Sequence, residues 1–168
     1  AGPVCAAAFW IDPRALASVP AALTDSKKLS AKKRAEIDLS LQSASHEFAD
    51  ATASVAEIDE RGILQATFLA MGRAVDVVAD RLLADDPLGF GKIAAILVDG
   101  NLLPPLAYEA HAFIKGDSRV LSIAAASIIA KQRRDEMMAI LHESHPVYGW
   151  DSNQGYGSKA HQQAIADY

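Results

Sequence analysis

Ile93-Ala94-Ala95-Ile96-Leu97-Val98-Asp99-Gly100-Asn101 is an apolar run that stops at an acid and a Gly-Asn turn. Such a run reads as a buried strand delivering a carboxylate to its C-terminal end. A second acid follows in Lys115-Gly116-Asp117, and Ser118 to Lys131 then reads as a helix. That helix is apolar on every side as far as Ala130, so it is expected to lie buried on a sheet. Two acids at the mouths of buried elements are where chemistry is expected. Each also has a plain structural reading: Asp99 as the turn-former of Asp-Gly-Asn, Asp117 as an acid favoured at a helix N-terminus.

Outward from this stretch the chain reads as α/β. Gly2 to Ile11 is a strand candidate ended by Asp12-Pro13, and Thr24 to Leu29 is a polar loop. Ser30 is placed to cap a helix from Ala31 to about Ser43. Lys32, Lys33 and Arg34 in its first turn oppose the helix dipole, and with Lys27 and Lys28 they form either a solvated face or a phosphate-facing patch. His46 to Val55 alternates weakly, as an edge-like strand does. Ser54 and Glu57 fit a capping box. The helix after it carries Leu64, Phe68, Met71, Val75, Val78 and Leu82 in one stripe, read as core packing. Gly62 is expected to weaken its first turns, and Asp85-Asp86-Pro87 to end it. Leu88-Gly89-Phe90-Gly91-Lys92 precedes a strand, so it reads as a turn and not a phosphate loop.

Leu102 to Glu109, with Pro104-Pro105, is loop, and His111 to Ile114 is a short strand candidate. Arg133 to Glu136 mark where the long helix is expected to emerge into water. His142-Glu143-Ser144-His145 lacks the His spacing of a zinc protease, and Pro146 follows it. Tyr148 to Gly157 is a glycine-rich loop bearing aromatic residues, and Ser158 caps a last helix.

A length of 168 residues, 51% hydrophobic and 22% charged, bounds the chain to one globular domain over 1–168. No apolar run is long enough to span a membrane. Val4 to Ile11 lacks the preceding basic residues of a signal peptide, and strand is the better reading. Cys5, the only cysteine, excludes an internal disulfide and a multi-cysteine zinc site, and suits a reducing cytoplasm. A net charge of −5 argues against nonspecific nucleic-acid binding, although phosphates meet a local patch and not an average.

Val98-Asp99-Gly100-Asn101, Lys115-Gly116-Asp117 and Leu121-Ser122-Ile123-Ala124-Ala125-Ala126-Ser127 together resemble bacterial ribonuclease HII. Asp25-Ser26-Lys27-Lys28-Leu29-Ser30 and Gly155-Tyr156-Gly157-Ser158 agree, in the family's order, over nearly the whole chain. The resemblance implies a ribonuclease H-like mixed sheet flanked by helices. It implies an endonuclease that hydrolyses the RNA strand of RNA–DNA hybrids and nicks duplex DNA 5′ of embedded ribonucleotides, leaving 5′-phosphates. Asp99 and Asp117 become catalytic metal ligands for Mg²⁺ or Mn²⁺. This matches what phosphodiester hydrolysis needs: two cations roughly 3.5–4 Å apart, held by few carboxylates and completed by water and phosphate. Tyr156 and Gly155 become the segment that reads the RNA–DNA junction. Lys115, Ser26, Lys27 and Lys28 become substrate contacts that position the duplex without reading its sequence. A cytoplasmic monomer is expected.

The chain departs from the family pattern in lacking the Asp-Glu pair and the Gly-Arg-Gly segment that reads the ribose 2′-hydroxyl. Those residues precede the part that matches Ala1-Gly2-Pro3-Val4, on the central strand of the family's sheet. The expectation is therefore a chain truncated at its N-terminus and clipped beyond Tyr168, inactive as it stands, with two unpaired sheet edges. Asn153-Gln154 stands where the family usually has His-Lys. The alternatives are a non-catalytic nucleic-acid-binding module on the same fold, or another two-metal nuclease of that fold.

Overall fold

The computed structural model describes residues 2–84 and 93–168. β1 (Val4–Trp10) and β2 (Glu47–Ala53) pair antiparallel, with Val4 opposite Ala53 and Trp10 opposite Glu47. Strand alternation divides the side chains of β1 between two layers. Val4 and Ala6 pack with Ala53 and with Ala66 and Ala70 of α3 (Ile63–Ala84). Phe9, of opposite parity, joins Ile37 and Leu41 of α1 (Ala31–Gln42) and Ala125 and Ile128 of α4 (Leu121–Ser144). The sheet is thus sandwiched between helices, as expected of an α/β fold.

β3 (Ile96–Asp99) and β4 (Ala110–Phe113) pair in parallel, with Asp99 opposite Phe113. β3 is shorter than the apolar run that announced it. Among the described residues the two sheets share no strand, so β1 and β3 each keep one edge without a strand partner. Both line a cleft of about 960 Å³, walled on its sides by Met71, Val75 and Val78 of α3 and by Ser122, Ile123 and Ala126 of α4. The mixed sheet is present as two halves facing this cleft.

Local signals set most element ends. Ser30 accepts a hydrogen bond from the Lys33 N–H at the start of α1. Ser54 and Glu57 exchange both bonds of the capping box at α2 (Val55–Arg61). Gly62, at φ +77°, separates α2 from α3 altogether, a stronger effect than a weakened first turn. Within the polar loop, Asp25 caps a single 3₁₀ turn over Ser26–Lys28.

Two packing expectations need correction. On α3, Val75 and Val78 are buried as expected and Leu64 is 45% exposed, while Ala66, Ala70 and Ala74 are buried completely and Met71, Val75, Val78 and Leu82 line the cleft. Small side chains at four-residue spacing let the helix lie close on the sheet, and the bulky stripe beside them lines the opening. On α4, Leu121 is 47% exposed, and Arg133 does not emerge into water: it pairs with Asp38 at 3.5 Å and Asp50 at 3.4 Å. After α4 come α5 (Trp150–Asn153) and α6 (Lys159–Asp167), the latter capped by Ser158. The Asp85-Asp86-Pro87 helix stop and the Leu88–Lys92 turn lie outside the described residues.

Candidate active site

The parallel pairing of β3 with β4 is what brings the two acids together. It sets Asp99 beside Phe113 at the C-terminal end of both strands. The chain then turns through Lys115, in the left-handed region at φ +56°, into a 3₁₀ turn over Gly116–Ser118. The Gly116 N–H donates to Asp99 Oδ1 at 2.8 Å. Asp117, the next residue, is near enough for the charge of Asp99 to act on its carboxyl. α4 begins only at Leu121, after an extended Val120, so Asp117 sits in its own turn and not in the first turn of the long helix.

Gly116 is required by space. A Cβ there would lie 2.7 Å from Ile123 Cδ1, 3.2 Å from Phe113 Cβ and 3.3 Å from Asp99 Oδ1. Removing the side chain lets the backbone N–H reach the carboxylate. Asp117 is 9% exposed, whereas Asp99 is open to solvent. Burial raises the Asp117 carboxyl above its ordinary range, and the negative charges of Asp99 and Asp25 raise it further; Lys27 and Lys28 pull it back. Asp25 is an acid that sequence reasoning left within a motif, without a role. Its effect on Asp117 depends on proximity in the fold, which spacing does not encode.

The remaining site residues divide into two groups. Lys27, Lys28 and Lys115 are exposed, and Lys27 lines the same cleft as Asp99. Ser26 lines the cleft too; it is 3% exposed and its hydroxyl is 2.9 Å from that of Ser127. Tyr156 is 58% exposed and also lines the cleft, following Gly155 at φ +76°. Its ring has Lys131 Nζ at 5.3 Å and the Arg134 guanidinium at 5.5 Å from the centroid. Lys131 and Arg134 were missed by sequence reasoning. Their three-residue spacing on a helix was the available signal, because it puts both on one face.

Two hard carboxylates at one strand end suit Mg²⁺ or Mn²⁺, which keep water and phosphate oxygens in most of their coordination sphere. Among the described residues no group of three or more His, Cys, Asp or Glu is placed to hold a metal. Burial, and after it the charges of Asp99 and Asp25, raises the Asp117 carboxyl, and a cation beside it would favour the ionised form. Among the described residues no helix is long and apolar enough to cross a membrane.

Comparison with known proteins shows the family and the fold. The family model for Ribonuclease HII matches residues 1–168. Ribonuclease HII of Nitrosomonas europaea is 47% identical over 165 residues, which cover 98% of this chain and 70% of that protein. Ribonuclease HII of Rhodospirillum rubrum is 48% identical over 167 residues, 98% of this chain and 72% of that protein. Among solved structures, the Bst-RNase HIII complex with Mn²⁺ superposes with a TM-score of 0.73 at 18% identity, over 99% of this chain and 65% of that one. RNase HII in the PCNA:RNase HII complex from Archaeoglobus fulgidus gives 0.66 at 21% identity, over 99% and 80%. These structures share the ribonuclease H-like fold, and by sequence the chain belongs to the ribonuclease HII family.

Proposed function

We propose that this chain forms the body of the catalytic domain of an endoribonuclease that cuts the RNA strand of RNA–DNA hybrids and nicks duplex DNA 5′ of embedded ribonucleotides. The observation that supports the reading is the seating of Asp99, which lines the cleft, on the Gly116 N–H, one residue before Asp117, whose carboxyl the Asp99 charge reaches. Asp99 and Asp117 would hold Mg²⁺ or Mn²⁺. Bound there, such ions supply an activated water and neutralise charge on the phosphate. Water attacks phosphorus and the 3′-oxygen leaves with a proton, giving 3′-hydroxyl and 5′-phosphate ends. Lys27, Lys28 and Lys115 hold phosphates on either side, which fixes register and reads no base. Gly155 and Tyr156 present a ring to the sugar at the junction. Ser26, its hydroxyl against that of Ser127, supports the lysine loop.

By resemblance, the family's Asp-Glu pair ends a central strand. The cleft between the open edges of β1 and β3 is where such a strand fits. The test uses the natural full-length protein and a duplex carrying one ribonucleotide. Asp99→Asn is expected to abolish Mg²⁺-dependent nicking while duplex binding persists. Unchanged nicking by that variant overturns the metal assignment.

A further inference from the structure

We propose that Asp135 is a positioning residue that couples the two substrate-facing loops through one carboxylate. The proposal rests on the reading of Lys27, Lys28 and Tyr156 as substrate contacts. Asp135 divides its oxygens between them. Oδ1 accepts from Lys131 Nζ at 2.6 Å, and Lys131 lies over the Tyr156 ring. Oδ2 accepts from Arg34 Nη2 at 3.2 Å, and the same guanidinium donates through Nη1 to the carbonyls of Leu29 at 2.7 Å and Ser26 at 3.3 Å. Those carbonyls bound the 3₁₀ turn that carries Lys27 and Lys28.

The rest of the α4 face works in the same direction. Ser127, Lys131 and Arg134 fall at i, i+4 and i+7, one stripe spanning about 10 Å at 1.5 Å per residue. Ser127 holds Ser26 from below, and Arg134 Nη1 donates to the Gln154 carbonyl at 2.7 Å. Gln154 is in the left-handed region at φ +45°, a conformation a non-glycine residue keeps only where its surroundings fix it. The Asp135 side chain is 20% exposed and those of Arg34 and Lys131 are 11% and 19% exposed, so the network is shielded and stiff. A rigid helix thereby sets the distance between a phosphate-contacting loop and a ring that meets the sugar. Asp117 sits just ahead of the same helix, so the ruler is referred to the acids as well.

The experiment is a double-mutant cycle in the natural full-length protein, reading KM and kcat for nicking at a single ribonucleotide. With Asp135 intact, Lys27→Ala and Tyr156→Ala are expected to be non-additive in KM by about 5-fold or more, as contacts in one network are. In Asp135→Asn the two effects become additive and KM rises about 10-fold, with kcat within about 3-fold, because only uniform binding is lost. Additivity in the unmodified protein, or a KM within about twofold for Asp135→Asn, overturns the coupling while the substrate reading stands. If Lys27→Ala and Tyr156→Ala each leave KM unchanged, the substrate reading fails instead. Should Asp135→Asn not fold, Lys131→Gln breaks the Tyr156 arm while leaving Arg34 its partner, and the same outcomes decide.

Discussion

Gly116→Ala tests the acid pair without touching either acid. The added Cβ would meet Ile123 Cδ1 at 2.7 Å, Phe113 Cβ at 3.2 Å and Asp99 Oδ1 at 3.3 Å. Ile123 Cδ1 is the end of a side chain that rotates, so that clash relaxes at moderate cost. Phe113 Cβ is fixed to β4 and yields little. Overpacking of this kind costs about 1–3 kcal/mol, and with Ile123 free to turn the lower half of that range applies. For a domain of this size, about 1–2 kcal/mol lowers the melting temperature by roughly 2–8 °C. The larger effect is functional. Asp99 must move a few tenths of an ångström and its bond from the Gly116 N–H tilts. A misplacement of about 1 Å costs catalysis about 100-fold, so a shift of this size costs roughly 3- to 10-fold. The assay is Mg²⁺-dependent nicking of a single-ribonucleotide duplex by the natural full-length protein, with melting followed alongside. Gly72→Ala is the control: it lies within α3 with nothing inside 4 Å of its Cβ, so it should gain about 0.5–1 kcal/mol and leave nicking unchanged. If Gly116→Ala melts and nicks like the unmodified protein, Asp99 is not seated on this backbone and the account of how the pair forms is wrong.

Two further expectations concern titrating groups away from the acids. Hydrogen bonds from Arg73, and then from the Ser54 backbone, hold the Glu57 carboxyl down at about 2 against an ordinary 4.5. Its stabilisation is complete above 4.5 and fades as pH falls toward about 2, so urea midpoints should drop over that window in the unmodified protein and drop less in Glu57→Gln; parallel curves refute it. Burial, with help from Asp50, pushes the Cys5 thiol up to about 11, so alkylation at pH 8 should be much slower than for an exposed thiol and should accelerate on unfolding; a rate equal to a free thiol's refutes the burial argument.

What the sequence disclosed was local chemistry. Ser30, the Ser54–Glu57 box and Ser158 announced their helices because a cap is decided by a few adjacent residues. Asp99 was legible as the end of a strand because an apolar run stops there. Its union with Asp117 was legible only through the family resemblance, since it depends on a parallel register across the Leu102–Glu109 loop. The alanine face of α3 was not legible: Ala66, Ala70 and Ala74 carry little hydrophobic weight, so the reading found Val75 and Val78, which are buried, and missed the alanines beside them. Arg133 and Asp135 looked like solvated charges because their partners, Asp38 and Arg34 on α1 and Asp50 on β2, lie about a hundred residues or less away in sequence but next to α4 in space. Ser26 differs again: its motif pointed to substrate, and the fold adds a hydroxyl contact with Ser127 at the cleft wall that no local pattern announced.

The charges around the site oppose one another in a way that ties cation to duplex. Burial raises the Asp117 carboxyl, and the negative charges of Asp99 and Asp25 raise it further. Lys27 and Lys28 are close enough to lower it again, so they spend part of their field on the acids. On the proposed reading Asp99 and Asp117 would hold a divalent ion, whose charge would offset theirs and leave the field of Lys27 and Lys28 for phosphate. At an ionic strength of about 0.15 M the screening length is roughly 8 Å, so this exchange stays within the site and the net charge of −5 has little part in it. A phosphate beside that ion would supply ligands that two carboxylates alone do not provide. On the proposed reading each occupant would remove a penalty the other meets, and by linkage the favour would be mutual. That coupling is how an acidic protein would hold nucleic acid where acids and lysines share a rim.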